Sequence, residues 1–120
     1  MTKKILLIGF QYYLRVYLEW DDNRYLEMIG IINSILNEYK DSLVVPKLLV
    51  IFFFYEIDHI IGTASHPNFT NLNIPIIKSA TDRNTYKELI EKRIMELKEM
   101  RQEFIGNYCC DYLMNDAHKQ

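Results

Sequence analysis

Glycine is scarce in this chain: four residues, standing alone at 9, 30, 62 and 106, leave no Gly-rich loop to cradle a phosphate. Cysteine is scarcer still. Cys109 and Cys110 are adjacent, whereas a disulfide framework or a zinc site needs separated cysteines that can converge. Both are therefore read as reduced thiols of a cytoplasmic protein. Positive charge does not cluster either. Fourteen Lys and Arg are scattered among 16 Asp and Glu, for a net charge of −2, which argues against nucleic acid or an anionic membrane surface as the main partner. Trp20 and the nine tyrosines do not offset that charge as platforms for stacked bases.

Long apolar runs are missing as well. Leu48 to Tyr55 is the most apolar stretch, bracketed by Lys47 and Glu56, and it falls far short of the roughly 20 residues that a membrane-spanning helix needs. The run from Ile5 to Phe10 is too short for the core of a secretory leader. A soluble, cytoplasmic chain with no membrane span is the expectation, and the acceptor pattern Asn68-Phe69-Thr70 is then accidental.

What is present is enough for one core. With 120 residues, 49% of them apolar, the chain reads as a single domain over 1–120. Residues 4–9 are a short β-favouring run, and Leu14, Val16, Leu18 and Trp20 alternate with polar or aromatic neighbours. Together they suggest a hairpin turning near Gly9, against a rival helix through 11–20 that pairs Arg15 with Glu19. Asp21-Asp22-Asn23 supplies caps for an amphipathic helix over 24–40 with Tyr25, Ile29, Ile32, Leu36 and Tyr39 on one side. The run 48–55 reads as a central strand covered on both faces, with Lys47, Glu56 and Asp58 as flanking gatekeepers.

A polar connection follows over 59–73, then an edge strand over 74–78 that includes Pro75. Thr85 and Glu88 have capping-box spacing and open a last helix whose apolar side carries Tyr86, Leu89, Ile90, Ile94, Leu97, Met100 and Phe104. Running unbroken to residue 114, that helix would extend about 43 Å and overhang a compact domain about 35 Å across. Gly106-Asn107 is accordingly expected to end it in a left-handed cap, leaving 106–120 as a short terminal helix or tail.

The implied fold is α+β: a mixed or antiparallel sheet of about four to five strands in β-β-α-β-β-α order with a long C-terminal amphipathic helix. In element order, and in no motif, it resembles the small sheet-and-helix adaptor modules of the longin and roadblock kind. That resemblance implies a dimerising scaffold.

Chemistry has one candidate location. Glu56, Asp58, His59 and His66 form a dense ionisable group between an apparent strand end and a polar loop, where α/β proteins often place acid–base or cation-binding sites. The same residues also serve simply to end a strand. No cofactor and no metal site are expected. Ser65 has no nucleophile context.

Arg101 falls within the apolar stripe of the last helix. It either reaches solvent from the edge of the core or pairs with Glu56, Asp58 or an acid of a second chain. With Tyr108, Tyr112, Leu113 and Met114 it marks the expected interface, because an apolar tail either packs back on the core or meets a partner. The expected function is a non-enzymatic protein–protein interaction module, a homodimer or an adaptor using its C-terminal helix. The alternative is a small α/β enzyme or a ligand- or metal-binding domain with its site at 56–66.

Overall fold

Every regular element among the described residues, 3–66, 69 and 80–110 of this computed structural model, is a helix. They are α1 (Lys3–Val16), α2 (Asp22–Glu38), α3 (residues 47–64) and α4 (residues 80–110). Two of these contain a wider π-helical stretch, Phe52–Glu56 in the middle of α3 and Ile105–Cys110 at the end of α4. The α+β reading is corrected: no strand occurs among the described residues, and the likeness in element order to longin and roadblock modules falls with it.

The hairpin expected over 4–20 is the helix α1 and its exit. Phe10, Gln11 and Leu14 turn inward from α1, a one-sided helical spacing. The apparent alternation straddled a helix end, with Leu14 inside α1 and Leu18 and Trp20 beyond it. Leu18 takes a left-handed backbone at φ 51°, and the Tyr17 and Glu19 N–H groups both donate to the Tyr13 carbonyl, at 3.1 and 3.3 Å. This turn reverses the chain into α2. Asp21 then caps α2, its Oδ1 accepting from the Arg24 N–H at 3.2 Å.

Residues 48–55, expected as a central strand, lie in α3. Pro46 leads in with its fixed φ, and its carbonyl accepts the Leu49 N–H at 3.0 Å. An eight-residue apolar run has no period with which to separate a doubly covered strand from a helix, and as a helix it satisfies its own backbone without a neighbouring strand. Only part of the run is buried. Leu49, Phe52 and Phe53 face the core, followed by Ile57, Ile60 and Ala64. At the π turn the Ile57 N–H donates to the Phe52 carbonyl, five residues back.

The expected edge strand at 74–78 lies outside the described residues, as do Tyr112, Leu113 and Met114. α4 is helical already at Ala80, so Thr85 sits in its second turn and not at its N-cap. Nor does α4 end at Gly106. No glycine among the described residues has positive φ, and the helix widens into π turns through Cys110. The molecule is elongated, 60 × 31 × 18 Å, and not the round domain of about 35 Å that such a helix would overhang.

The core gathers two aromatic groups. Phe10, Trp20 and Tyr25 lie with ring centroids 4.8–5.6 Å apart, and Phe53 stacks on Phe104 at 4.2 Å, joining α3 to α4. Each such fully buried side chain is worth about 1.5–3 kcal/mol before its ordering entropy. Among the described residues no helix is long and apolar enough to cross a membrane.

Candidate functional site

The expected chemical cluster of Glu56, Asp58, His59 and His66 does not converge on one site. Glu56 closes the π turn and faces α1, where its Oε2 accepts from Gln11 Nε2 at 2.8 Å and Arg15 Nη2 at 2.9 Å. Two residues on, Asp58 turns toward α4, and its Oδ1 accepts from Arg101 Nη1 at 2.6 Å. His59 is exposed, its ring tilted against that of Tyr55 at 4.5 Å. Residues two apart on a helix point about 200° apart, which parts Glu56 from Asp58, whereas Asp58 and His59 border one open hollow of about 250 Å³ with Gly62 and Thr63. Among the described residues no three His, Cys, Asp or Glu side chains are grouped so that they could hold a metal ion.

His66 belongs to a different region, at the C-terminal end of α3. It borders a hollow of about 280 Å³ between α3 and α4, together with Ser65, Lys87 and Glu91 over an apolar floor of Ala64, Ile90 and Ile94. It also borders a more apolar hollow of about 380 Å³ with Leu18, Gly62, Thr63 and Phe69. Lys87 and Glu91, one turn apart on α4, are brought to His66 by the course of that helix. Only tertiary packing reveals that grouping.

A second polar cluster joins α2 to α4. Arg93 donates from Nε and Nη2 to the two oxygens of Asp22, both at 2.9 Å, and from Nη1 to Glu96 at 3.1 Å. Trp20 Nε1 donates to Asp22 Oδ1 at 3.2 Å, and the Trp20 N–H donates to the Tyr86 hydroxyl at 2.8 Å. Burial pushes the Asp22 carboxyl upward, but the hydrogen bonds from Arg93 and Trp20 and the charges of Arg93 and Lys92 outweigh it and leave it below its ordinary value. Burial, with the Glu96 charge beside it, pushes the Tyr25 hydroxyl well above its ordinary range. The Asp22 and Arg93 side chains are 23% and 15% exposed, and the cluster works as a tie between helices.

The feature with the most interaction potential is the outer face of α3. Val50, Ile51, Phe54 and Tyr55 are 41%, 40%, 49% and 56% exposed. At spacings of one, three and four they form one contiguous apolar row. Sequence reasoning missed this row because it had covered both faces of a strand. The sole signal was the run itself, too apolar for one side of a helix. Phe54 contacts Phe104 at 6.0 Å between ring centroids, so the row adjoins the C-terminal end of α4. Arg101 stands there paired with Asp58, and Tyr108 lies on the final π turns.

Compared with known proteins, the chain matches no family model, no curated protein and no solved structure.

Proposed function

We propose that the chain is a non-enzymatic protein–protein interaction module, working in the cytoplasm, whose contact surface is the outer face of α3 together with the C-terminal end of α4. One observation carries this reading: the contiguous row Val50, Ile51, Phe54 and Tyr55 is left in water by a helix that had a core to turn toward. Scattered exposed apolar residues are ordinary, but a contiguous patch holding two aromatics is what an interface core is made of. Of the expected tail contacts, Tyr108 stands on that end of α4, and Tyr112, Leu113 and Met114 lie outside the described residues.

A photo-crosslinking amino acid at Ile51, compared in cells with one at Met95, tests the reading. Met95 is an exposed apolar residue of α4, also 56% exposed, that lies outside the row. Crosslinked protein at 51 well above 95 is the expected result. Equal yields at both positions overturn the reading.

A ligand-binding alternative at 56–66 draws on the hollow beside His66, where Ser65, Lys87 and Glu91 present polar groups over an apolar floor. A rise in melting temperature with a nucleotide or a divalent cation, lost in His66→Ala, is its test.

A further inference from the structure

The outer row of α3 is symmetrical about its own midpoint. Val50, Ile51, Phe54 and Tyr55 are centred between Phe52 and Phe53, and so are the two exposed charges of opposite sign that flank them, Lys47 and Asp58. Resting on the interaction reading above, we infer that the partner of this face is a second copy of the chain, laid antiparallel across a twofold axis at residues 52–53. That axis sets Lys47 against the partner's Asp58 at both ends, Val50 against the partner's Tyr55 and Ile51 against the partner's Phe54. The same patch on both copies satisfies itself, as a twofold interface requires.

Charge selects the direction. A parallel pairing would bring Lys47 to Lys47 and Asp58 to Asp58, whereas the antiparallel one makes each end an ion pair. The first turn of α3 contains no acid of its own, although a helix N-terminus favours one, and the antiparallel copy delivers its Asp58 there. Arg101 already holds one oxygen of Asp58 at 2.6 Å, which fixes the carboxylate while its second oxygen can accept from Lys47. A net charge of −2 per copy adds little repulsion.

The four apolar side chains together expose several hundred Å² at most, given about 150–250 Å² for a whole aromatic side chain. A standard interface takes about 800 Å² per partner. The pairing is therefore weak and concentration-dependent, with a Kd on the order of micromolar or above.

Sedimentation velocity on the full chain over a wide concentration range, with Lys47→Glu, with Asp58→Lys and with an equimolar mixture of the two, tests this. The chain should pass from its 14.4 kDa monomer to a dimer. Each variant alone makes both end contacts repulsive and should raise Kd roughly tenfold. Mixing restores attraction at both ends, since the two altered charges meet at one end and the native pair remains at the other, so the mixture should dimerise like the parent. A misfolded variant has no such rescue. A parent chain that stays monomeric throughout overturns the second copy as partner, even where crosslinking at Ile51 to a different protein upholds the interaction reading. Dimerisation that ignores the charge changes, or a mixture no tighter than either variant, overturns the antiparallel α3 pairing.

Discussion

Arg93 and Asp22 meet as two parallel hydrogen bonds, each 2.9 Å, that fasten the first turn of α2 to the middle of α4. The guanidinium uses its remaining Nη1 on Glu96 and lies 5.4 Å from the centroid of the Tyr25 ring. A lysine ammonium keeps the charge but lacks the planar fork. Arg93→Lys is expected to lower the unfolding free energy by about 1–3 kcal/mol in urea titrations. A loss no larger than that of an ordinary surface substitution would show that the tie contributes nothing.

The same carboxylate governs part of the acid response. Asp22 is held below its ordinary value of 3.8 in the fold, so the unfolded chain takes up that proton first as the pH falls. Its contribution is fully present above the ordinary value and is lost as the pH drops below about 4 toward the folded value. Unfolding free energies measured stepwise from neutral pH into acid should fall more gently in Asp22→Asn than in the parent. Parallel curves would remove Asp22 from the account.

Leu18 bends the chain between α1 and α2 with a left-handed backbone that costs a branched side chain roughly 1–2 kcal/mol and glycine almost nothing. Both Leu18→Ala and Leu18→Gly give up the side-chain contact with the core. Only the glycine relieves the backbone. Leu18→Gly should therefore be the more stable of the two by about 1 kcal/mol in denaturant unfolding, an inversion of the order expected within a helix. The reverse order would contradict a left-handed turn at this position.

Gly106 separates a continuing helix from a capped one. Nothing lies within 4 Å of a Cβ built there and its φ is not positive, so Gly106→Ala should stabilise by about 0.5–1 kcal/mol. In a left-handed cap the same change would destabilise. A thermal melt read by circular dichroism gives the sign.

Legibility in the sequence followed the length and regularity of each period. α2 and α4 repeat their apolar side over four or more turns; of the residues expected inside them, Tyr25, Ile32, Ile90, Ile94, Leu97 and Phe104 are buried, and Ile29, Leu36, Tyr39, Tyr86, Leu89 and Met100 are half-buried. α1 was obscured because its inward residues stop at Leu14 and a left-handed turn carries Leu18 and Trp20 onto the same core. α3 was obscured because a run that is apolar at every position carries no period. Reading strand geometry there had two consequences for the site. It set Glu56 and Asp58 on one side, although the helix turns them toward α1 and α4 respectively, and it hid an exposed face behind an assumed second cover. Asp58 had nonetheless stood among the acids considered for Arg101, since a cation within an apolar stripe needs a carboxylate in reach.

The most direct measurement sets Leu49→Ala beside Ile51→Ala in denaturant unfolding of dilute, monomeric protein. Two residues apart, these side chains share a face in a strand and lie about 200° apart in a helix. Leu49 is fully buried and Ile51 is 40% exposed. Leu49→Ala is expected to cost about 2–5 kcal/mol and Ile51→Ala less than about 1 kcal/mol. Equal losses at the two positions would mean that residues 48–55 present both to the same surroundings, and would contradict the helix α3 and the exposed face proposed as its interface.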